Sequence, residues 1–241
     1  MILEYDGSFF HGWQRQNELL TVQGVLEDAL MYLTTCKTAV FAAGRTDCGV
    51  HAQGQVAHFL CDKPFTLDRL RRGTNFYLKK VPVRVLCVEE ENTSFHARFS
   101  ALRRHYCYKI LNRPSASPLR EKRVWWIPKP LDTESMQKAA DLCVGHHNFA
   151  AFRATACQAK SSLKTMEKCD VVSVDDELHI NLSARSFLHH QVRIMVGTFV
   201  KVGLGVWPLE RIRQLLLHGK RQQSGPTAPS EGLYFLRVDY P

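Results

Sequence analysis

Hydrophobic side chains along the first 90 residues follow either helical or strand spacing. Apolar residues between 22 and 33 recur every three or four positions behind Thr21, a suitable N-cap, which is typical of an amphipathic helix. Over this segment the pattern predicts strands at 1–5, 38–44, 54–61 and 83–90, and helices at 22–33 and 67–78. The predicted order of elements is βαββαβ.

The second half of the chain carries a near-copy of this order, βαββααβ. The pattern predicts strands at 105–111, 166–174, 178–184 and 233–240, and helices from Asp132 to near Gly145, at 187–203 and from Pro208 to near Gly219. Two α+β halves with mostly antiparallel sheets account for both orders. We place the N-terminal half at 1–98 and the C-terminal half at 99–241, because the polar, irregular stretch 92–103 separates the two patterns.

The composition is that of an ordinary globular protein. The chain has 241 residues, of which 45% are hydrophobic and 23% are charged. No apolar run approaches the ~18 residues of a membrane span, and no basic leader precedes an apolar run near the start. The eight cysteines form no C-x-x-C pair, and their scatter indicates a reducing compartment. We expect an intracellular protein without membrane attachment, in either the mitochondrial matrix or the cytoplasm.

The excess positive charge is concentrated in the second half. The formal net charge is +9, yet residues 1–100 hold 11 basic and 11 acidic side chains, so residues 101–241 carry the whole excess. The segment 103–123 has seven basic residues and one acidic residue. Such a segment forms either a solvated basic face or a surface for a polyanion such as nucleic acid. The candidate RNA-binding residues are Arg103, Arg104, Arg120, Lys122 and Arg123.

The stretch AAGRTDCGVH at 42–51 contains an isolated carboxylate. Asp47 is the only acidic residue between Asp28 and Asp62, and it follows Arg45 by two positions. An aspartate before a small residue and a glycine commonly forms a turn by accepting a backbone N–H. The alternative is a carboxylate held ionised by a guanidinium at the rim of an apolar core, which suits a nucleophile or a general base.

Two further candidates lie on apolar elements. Arg193 belongs to the run FLHHQVRIMVGTFVKV, where its guanidinium either snorkels to water or pairs with a carboxylate such as that of Asp47. Tyr106 and Tyr108 alternate on one predicted strand and therefore face the same way. They either pack into the core or present one ring to a nucleobase.

Motifs for other chemistries are absent from the sequence. Cys48 and His51 have the C-x-x-H spacing of half a metal site, but no second half follows at ligand spacing. The chain has no G-x-x-x-x-G-K-[ST], G-x-G-x-x-G, G-x-S-x-G or H-E-x-x-H motif. The sequence therefore points to neither a nucleotide cofactor nor a metal.

The motifs in this chain resemble those of one enzyme family. AAGRTDCGVHAQGQVAHF at 42–59 is similar to the signature of the TruA-type tRNA pseudouridine synthases, Gly-Arg-Thr-Asp-x-Gly-Val-His-Ala followed by Gly-Gln-Val. Cys48 takes a place more often held by alanine in that signature. Further blocks match in order at 4–16, 22–30, 98–110, 147–153, 186–203 and 227–241. The likeness covers nearly the whole chain and favours a eukaryotic tRNA pseudouridine synthase-like branch.

The resemblance implies two ferredoxin-like halves joined around a central catalytic cleft, usually in a homodimer, without cofactor or metal. It implies an isomerase that converts uridine to pseudouridine in tRNA, in the anticodon stem-loop, after the target base leaves its stack. Asp47 is then the catalytic residue, Tyr106 stacks on the flipped base, and Arg193 pairs with the aspartate. Arg45 supports the flipped nucleotide or its phosphate, and Tyr108 keeps the core position.

Two other functions stay open at the level of sequence. A catalytically idle relative would hold RNA without converting it. The intact set Arg45, Asp47, Tyr106 and Arg193 favours the enzyme, since an idle relative is free to lose any of them. A carboxylate-dependent phosphodiesterase would need clustered acidic residues to hold metal ions, and the lone Asp47 argues against it.

Overall fold

The chain forms two compact units in a computed structural model, which describes residues 1–61 and 63–241. Unit 1 comprises Met1–Leu102 and Tyr234–Pro241, and unit 2 comprises Arg103–Leu233. The division after Leu102 lies just beyond the predicted boundary at 98. The C-terminal strand, which the sequence analysis assigned to the half 99–241, belongs instead to unit 1.

The helices and strands largely follow the predicted order. They are β1 (Ile2–Tyr5), α1 (Val22–Thr34), β2 (Phe41–Ala42), β3 (His51–His58), α2 (Leu67–Tyr77), β4 (Val83–Cys87), β5 (Arg103–Leu111), β6 (Trp125–Trp126), α3 (Thr133–Asp141), β7 (Gly145–Asn148), β8 (Leu163–Val174), β9 (Glu177–Ala184), α4 (Gln191–Gly203), α5 (Glu210–His218) and β10 (Leu233–Asp239). The short polar strand β7 was not predicted, because GHHN lacks apolar alternation.

The sheet of unit 1 has the strand order β4-β1-β3-β10, with β2 paired to β3. β1 runs antiparallel to both of its neighbours, whereas β10 runs parallel to β3 with Tyr234 opposite His51. The backbone N–H of Leu102 also donates to Asp239 O at 2.9 Å. These bonds place β10 in unit 1, because a strand satisfies its backbone with whichever neighbour lies beside it, however distant along the chain.

The sheet of unit 2 has the strand order β5-β9-β8-β7, and each of these pairs is antiparallel. β6 adds a short parallel pairing to β5. Both sheets are thus mostly antiparallel and accompanied by helices, which confirms the predicted α+β class. Within the described part of the chain, no helix combines the length and the apolar character needed to cross a membrane.

The capping residues predicted for two helices are confirmed. Thr21 Oγ1 accepts the N–H of Gly24 at 3.3 Å at the start of α1, and Asp132 Oδ1 accepts the N–H of Ser135 at 3.0 Å at the start of α3. Each cap satisfies one of the first N–H groups of its helix, which have no partner within the helix.

Of the predicted strand at 38–44, only the two residues of β2 form a strand in the structure. The N–H of Val40 donates to Glu27 Oε1 at 3.2 Å, and Val40 O accepts from Gln23 Nε2 at 3.2 Å. Side chains of α1 therefore take the place of a neighbouring strand. An apolar run alone does not reveal which groups satisfy its backbone.

The predicted helix at 187–203 begins later, at Gln191. His190, just before it, has φ +59, a left-handed conformation that ends the preceding turn. Gln191 Oε1 accepts the N–H of Leu188 at 2.8 Å and stabilises that turn. The later start leaves Arg193 in the first turn of α4.

Candidate active site

Asp47 lies in unit 1, in the loop 43–50 that joins β2 to β3. Its carbonyl accepts the N–H of Val50 at 3.2 Å, which closes a turn. Gly49, the third residue of that turn, has φ +81, as a type II turn requires. A turn is therefore present, and its closing bond uses backbone atoms. The side chain of Asp47 is half-buried, and that of Arg45 is exposed.

A buried hydroxyl network holds the residue before Asp47. Thr46 Oγ1 lies 2.7 Å from Tyr5 Oη on β1, and both side chains are buried. Gln55 Nε2 on β3 donates to Tyr5 Oη at 3.5 Å and to Gly44 O at 2.8 Å. Burial raises the pKa of Tyr5 to about 12, so its hydroxyl stays protonated at neutral pH. Because buried polar groups are costly to leave unpaired, this network anchors the loop to the sheet.

The segment before α1 supports the loop from a second direction. The N–H of Trp13 donates to Thr46 O at 3.0 Å, and the N–H of Gly49 donates to Phe10 O at 3.4 Å. The rings of Phe10 and Trp13 are buried, so this segment is itself fixed in the core of unit 1. The backbone on both sides of Asp47 is thus held by residues far from it in sequence.

His51 serves the fold of unit 1. The N–H of Gly7 lies 3.1 Å from His51 Nδ1, in position to donate to it. Asp6 Oδ1 lies 3.2 Å from the same nitrogen, a contact that becomes an ion pair only if the ring is protonated. The buried ring stacks on Tyr234 with centroids 4.7 Å apart. Cys48, the other member of the C-x-x-H pair, is exposed.

Tyr106 and Tyr108 lie two residues apart on β5 in unit 2 and share one face, as predicted. Tyr108 is fully buried and its hydroxyl donates to Pro229 O at 2.7 Å, which confirms its core position. Tyr106 is half-buried and meets Phe187 edge to face with centroids 5.0 Å apart. A ring supported in this way and partly open to solvent is suited to stacking on a planar base.

Arg193 is half-buried in the otherwise buried first turns of α4. Its Nε donates to Ala228 O at 2.8 Å, and the N–H of Ala228 donates to Arg193 O at 3.1 Å. This reciprocal pair holds both the backbone and the side chain of Arg193 in place. Burial raises the pKa of Tyr108, and the nearby charge of Arg193 opposes that rise.

The segment 224–228 reaches α4 because Gly197 has no side chain. A Cβ at Gly197 would lie 1.9 Å from Pro226 O, closer than any real contact. The N–H of Gly225 donates to Thr198 Oγ1 at 3.0 Å at the same place. The glycine therefore permits the approach that brings Ala228 to Arg193.

Arg221 orders the same segment from the other side. Its Nη1 donates to Ser224 Oγ and to Gly225 O, each at 3.0 Å, and its Nη2 donates to Thr227 Oγ1 at 2.9 Å. One planar guanidinium thus binds three residues, Ser224, Gly225 and Thr227, of the segment that supplies the carbonyl for Arg193. A lysine, with a single ammonium group, does not reproduce this fork.

The five predicted RNA-binding residues differ in surroundings. Arg104 is only 8% exposed and donates to Arg185 O at 2.5 Å, so it stabilises unit 2 from within. Its assignment to an RNA-binding surface stays a prediction, and its low exposure weighs against a direct contact with a phosphate. Lys122 and Arg123 are exposed, and their assignment stays a prediction.

Two of these arginines have carboxylate partners. Arg103 pairs with Glu167, and Arg120 pairs with Asp176, which also accepts from Arg113 at 2.8 Å. The hydrogen bond from Arg120 lowers the pKa of Asp176. These exposed networks tie the segment 103–123 to the rest of unit 2 and reduce the free positive charge that the sequence suggested.

Comparison with known proteins places the chain in a family. A family model described as tRNA pseudouridine synthase matches residues 1–100 and 139–241. The chain belongs to this family. It is 47% identical over 240 residues to tRNA pseudouridine synthase A of Paramagnetospirillum magneticum, covering 100% of this chain and 94% of the relative. The proteins of the same name from Rhodopseudomonas palustris and Bartonella henselae are 50% and 46% identical over 242 residues, covering 100% of this chain and 98% of each relative.

The comparisons also bear on the predicted branch of the family and on the predicted site residues. The relatives are bacterial, so the expectation of a eukaryotic branch finds no support in them. Asp47 and Arg193 lie within the ranges that the pseudouridine synthase model matches, whereas Tyr106 lies between those ranges. Asp47 and Arg45 belong to unit 1, and Tyr106 and Arg193 belong to unit 2. The predicted pairing of Asp47 with Arg193 joins residues of the two units and stays a prediction.

The local sequence patterns did not reveal the residues that support the pseudouridine synthase signature. Tyr5 and Gln55 each place a polar group at a buried strand position, and that anomaly was visible in the pattern of the strands. Arg221 offered no such signal, because it lies in a polar segment and binds a loop.

Proposed function

We propose that this protein is a tRNA pseudouridine synthase in which Asp47 carries the reaction. The observation that supports it is the intact Gly-Arg-Thr-Asp signature on a loop that a buried network anchors, in a chain about half identical over its full length to bacterial tRNA pseudouridine synthases A. The reaction breaks the C1′–N1 bond of uridine and forms a C1′–C5 bond. C5 loses a proton and N1 gains one, so the isomerisation needs no oxidant or reductant.

The proposed roles follow the chemistry of each side chain. A carboxylate can attack the ribose or the base, or accept the C5 proton, and Asp47 supplies one. Tyr106 stacks on the uracil once it has left the RNA stack. Arg193 pairs with Asp47, and Arg45 contacts the flipped nucleotide or its phosphate.

The test uses an unmodified tRNA transcript whose uridines carry tritium at C5. Wild-type protein releases tritium, and Asp47→Asn, which keeps the shape of the side chain, releases none while binding the tRNA with an affinity close to that of wild type. Asp175→Asn is the matched control, because Asp175 lies exposed in a left-handed turn position that asparagine also adopts. Substantial tritium release by Asp47→Asn would refute the assignment.

Mapping of pseudouridine in the product tests the target. We expect modified positions in the anticodon stem-loop, and modification confined to other regions of the tRNA would exclude that target. A wild-type protein that binds tRNA and releases no tritium would instead support the catalytically idle relative. We also propose a homodimer, for which sedimentation at assay concentrations should give about twice the mass of the 27.6 kDa chain.

A further inference from the structure

Helix α2 of unit 1 has a basic outer face, and none of the roles proposed above involves this face. Residues 65–80, FTLDRLRRGTNFYLKK, hold five basic residues and one acidic residue, although the first 100 residues are neutral overall. Arg69, Arg72 and Phe76 lie three, four and seven positions apart, so they share one stripe of the helix, away from the buried Leu70. The charge of α2 is therefore directed to solvent.

Three exposed aromatic rings lie on this stripe or beside it. Tyr32 of α1 stacks on Tyr77 with centroids 5.6 Å apart, and Phe76 meets Tyr77 edge to face at 5.3 Å. Tyr32, Phe76 and Tyr77 are 62%, 61% and 43% exposed. Lys79 Nζ lies 4.6 Å from the centroid of the Phe76 ring. Grouped exposed rings of this kind mark a binding surface rather than scattered surface residues.

The charges on this face are available to a ligand. Arg72 pairs with Asp68, but their side chains are 72% and 53% exposed, and an ion pair so open to water contributes little to stability. Lys79 and Lys80 are exposed at the end of α2. Residues 65–80 thus offer a phosphate five basic side chains and one carboxylate, that of Asp68.

We propose that this α2 outer face binds the RNA substrate, with its cations on phosphates and its rings on unstacked bases. It consists of Arg69, Arg72, Phe76, Tyr77 and Lys79 of α2 and the following turn, and Tyr32 of α1. The proposal rests on the proposed function, which supplies an RNA as substrate. Basic residues interleaved with exposed aromatic rings are the chemistry that binds nucleic acid without reading its sequence.

Charge favours RNA over a second copy of the chain as the ligand of the α2 outer face. A symmetric dimer formed through this face would bring the same basic patch against itself, and like charges repel at close range. RNA has the complementary charge. The α2 outer face also presents cations that are open to solvent. In the segment 103–123, by contrast, Arg103, Arg104 and Arg120 bind partners within unit 2.

The experiment measures equilibrium binding of an unmodified tRNA transcript across a salt series. We expect Lys79→Glu and Phe76→Ala each to weaken binding about tenfold or more at moderate salt, and Lys79→Glu to lower the slope of log affinity against log salt by about one. In steady-state kinetics both variants should raise KM for tRNA more than they lower kcat, because contacts made equally in the ground state and the transition state act on KM. Lys129→Glu and Leu217→Ala are matched controls at exposed sites of unit 2.

Affinities of Lys79→Glu and Phe76→Ala within twofold of their controls would overturn the proposal. So would loss of self-association in these variants without a change in RNA affinity, which would assign the face to a second copy. Tritium release is measured on the same preparations. A wild type that binds through α2 and releases no tritium would refute the activity and leave the face as an RNA-binding surface.

Discussion

The hydroxyl of Tyr5 lies 2.7 Å from the hydroxyl of Thr46, although 41 residues separate them in the sequence. Tyr5 ends β1, and Thr46 directly precedes the proposed catalytic residue Asp47. Both side chains are buried, so this hydrogen bond takes the place of bonds to water. The position of the Asp47 loop therefore depends on the first strand of the chain.

Replacing Tyr5 by phenylalanine tests this dependence. Tyr5→Phe leaves the Thr46 hydroxyl without that partner in a buried site, and we expect a loss of about 1–3 kcal/mol in the free energy of unfolding. The rate of tritium release should fall as well, because the loop loses an anchor. Urea unfolding and the tritium assay measure the two effects. Ser173→Ala, which removes an exposed hydroxyl on β8, should change neither, and an unchanged rate in stable Tyr5→Phe protein would show that the anchor is dispensable.

At Gly197 we expect packing to reverse the usual effect of replacing a helical glycine by alanine. Alanine in place of glycine inside a helix usually stabilises it by roughly 0.5–1 kcal/mol. At Gly197 the new Cβ would collide with the backbone at Pro226, so we expect destabilisation of about 1–3 kcal/mol and slower catalysis through Arg193. Gly73→Ala, whose Cβ meets only the flexible end of Leu33, should cost less in urea unfolding. Equal costs for the two variants would contradict this account.

Arg221 is expected to act on catalysis through the segment that holds Arg193. Arg221→Lys keeps the charge and loses the fork, so kcat should fall by about tenfold while KM for tRNA changes little. Arg213→Lys is the control, because Arg213 is exposed and pairs with Glu210 one helical turn away. Steady-state kinetics separate the two constants. A rise in KM alone would show that Arg221 serves RNA binding instead.

His58 is expected to make the stability of unit 1 sensitive to acid. Burial lowers its pKa, with the neighbouring His96 adding to the effect, and its Nδ1 accepts the N–H of Ala97 at 3.2 Å. As the pH falls, His58 therefore takes up a proton in the unfolded chain at a higher pH than in the folded chain. The free energy of unfolding keeps the full contribution of neutral His58 above the ordinary histidine pKa of about 6.5 and loses it as the pH falls from there to the folded pKa. His58→Gln keeps an acceptor without titrating.

Unfolding in urea at a series of pH values tests this expectation. The loss of stability between about pH 7 and about pH 5 should be smaller in His58→Gln than in wild type. His218→Gln, at an exposed site on α5, should follow the wild-type curve. Parallel curves for wild type and His58→Gln would assign the acid sensitivity to other groups.

Local patterns in the sequence were sufficient for the α+β class, for most helices and strands, and for the family likeness. The caps at Thr21 and Asp132 were predictable because a capping side chain reaches only three residues along the chain. The signature around Asp47 was readable for a similar reason, since its residues are contiguous. Alternation placed Tyr106 and Tyr108 on one face, and the family resemblance then left Tyr108 as the core residue of the two, which its burial confirms.

Only the tertiary structure decided which distant residues share a partner. It moved the C-terminal strand to unit 1, anchored Asp47 through Tyr5, and bound Arg193 to Ala228. It also took Arg104 into the interior, although its neighbours in sequence suggested an RNA-binding surface. The physical reason is that backbone pairing and the burial of polar groups depend on which atoms meet in space. Composition and spacing record only which residues are close along the chain.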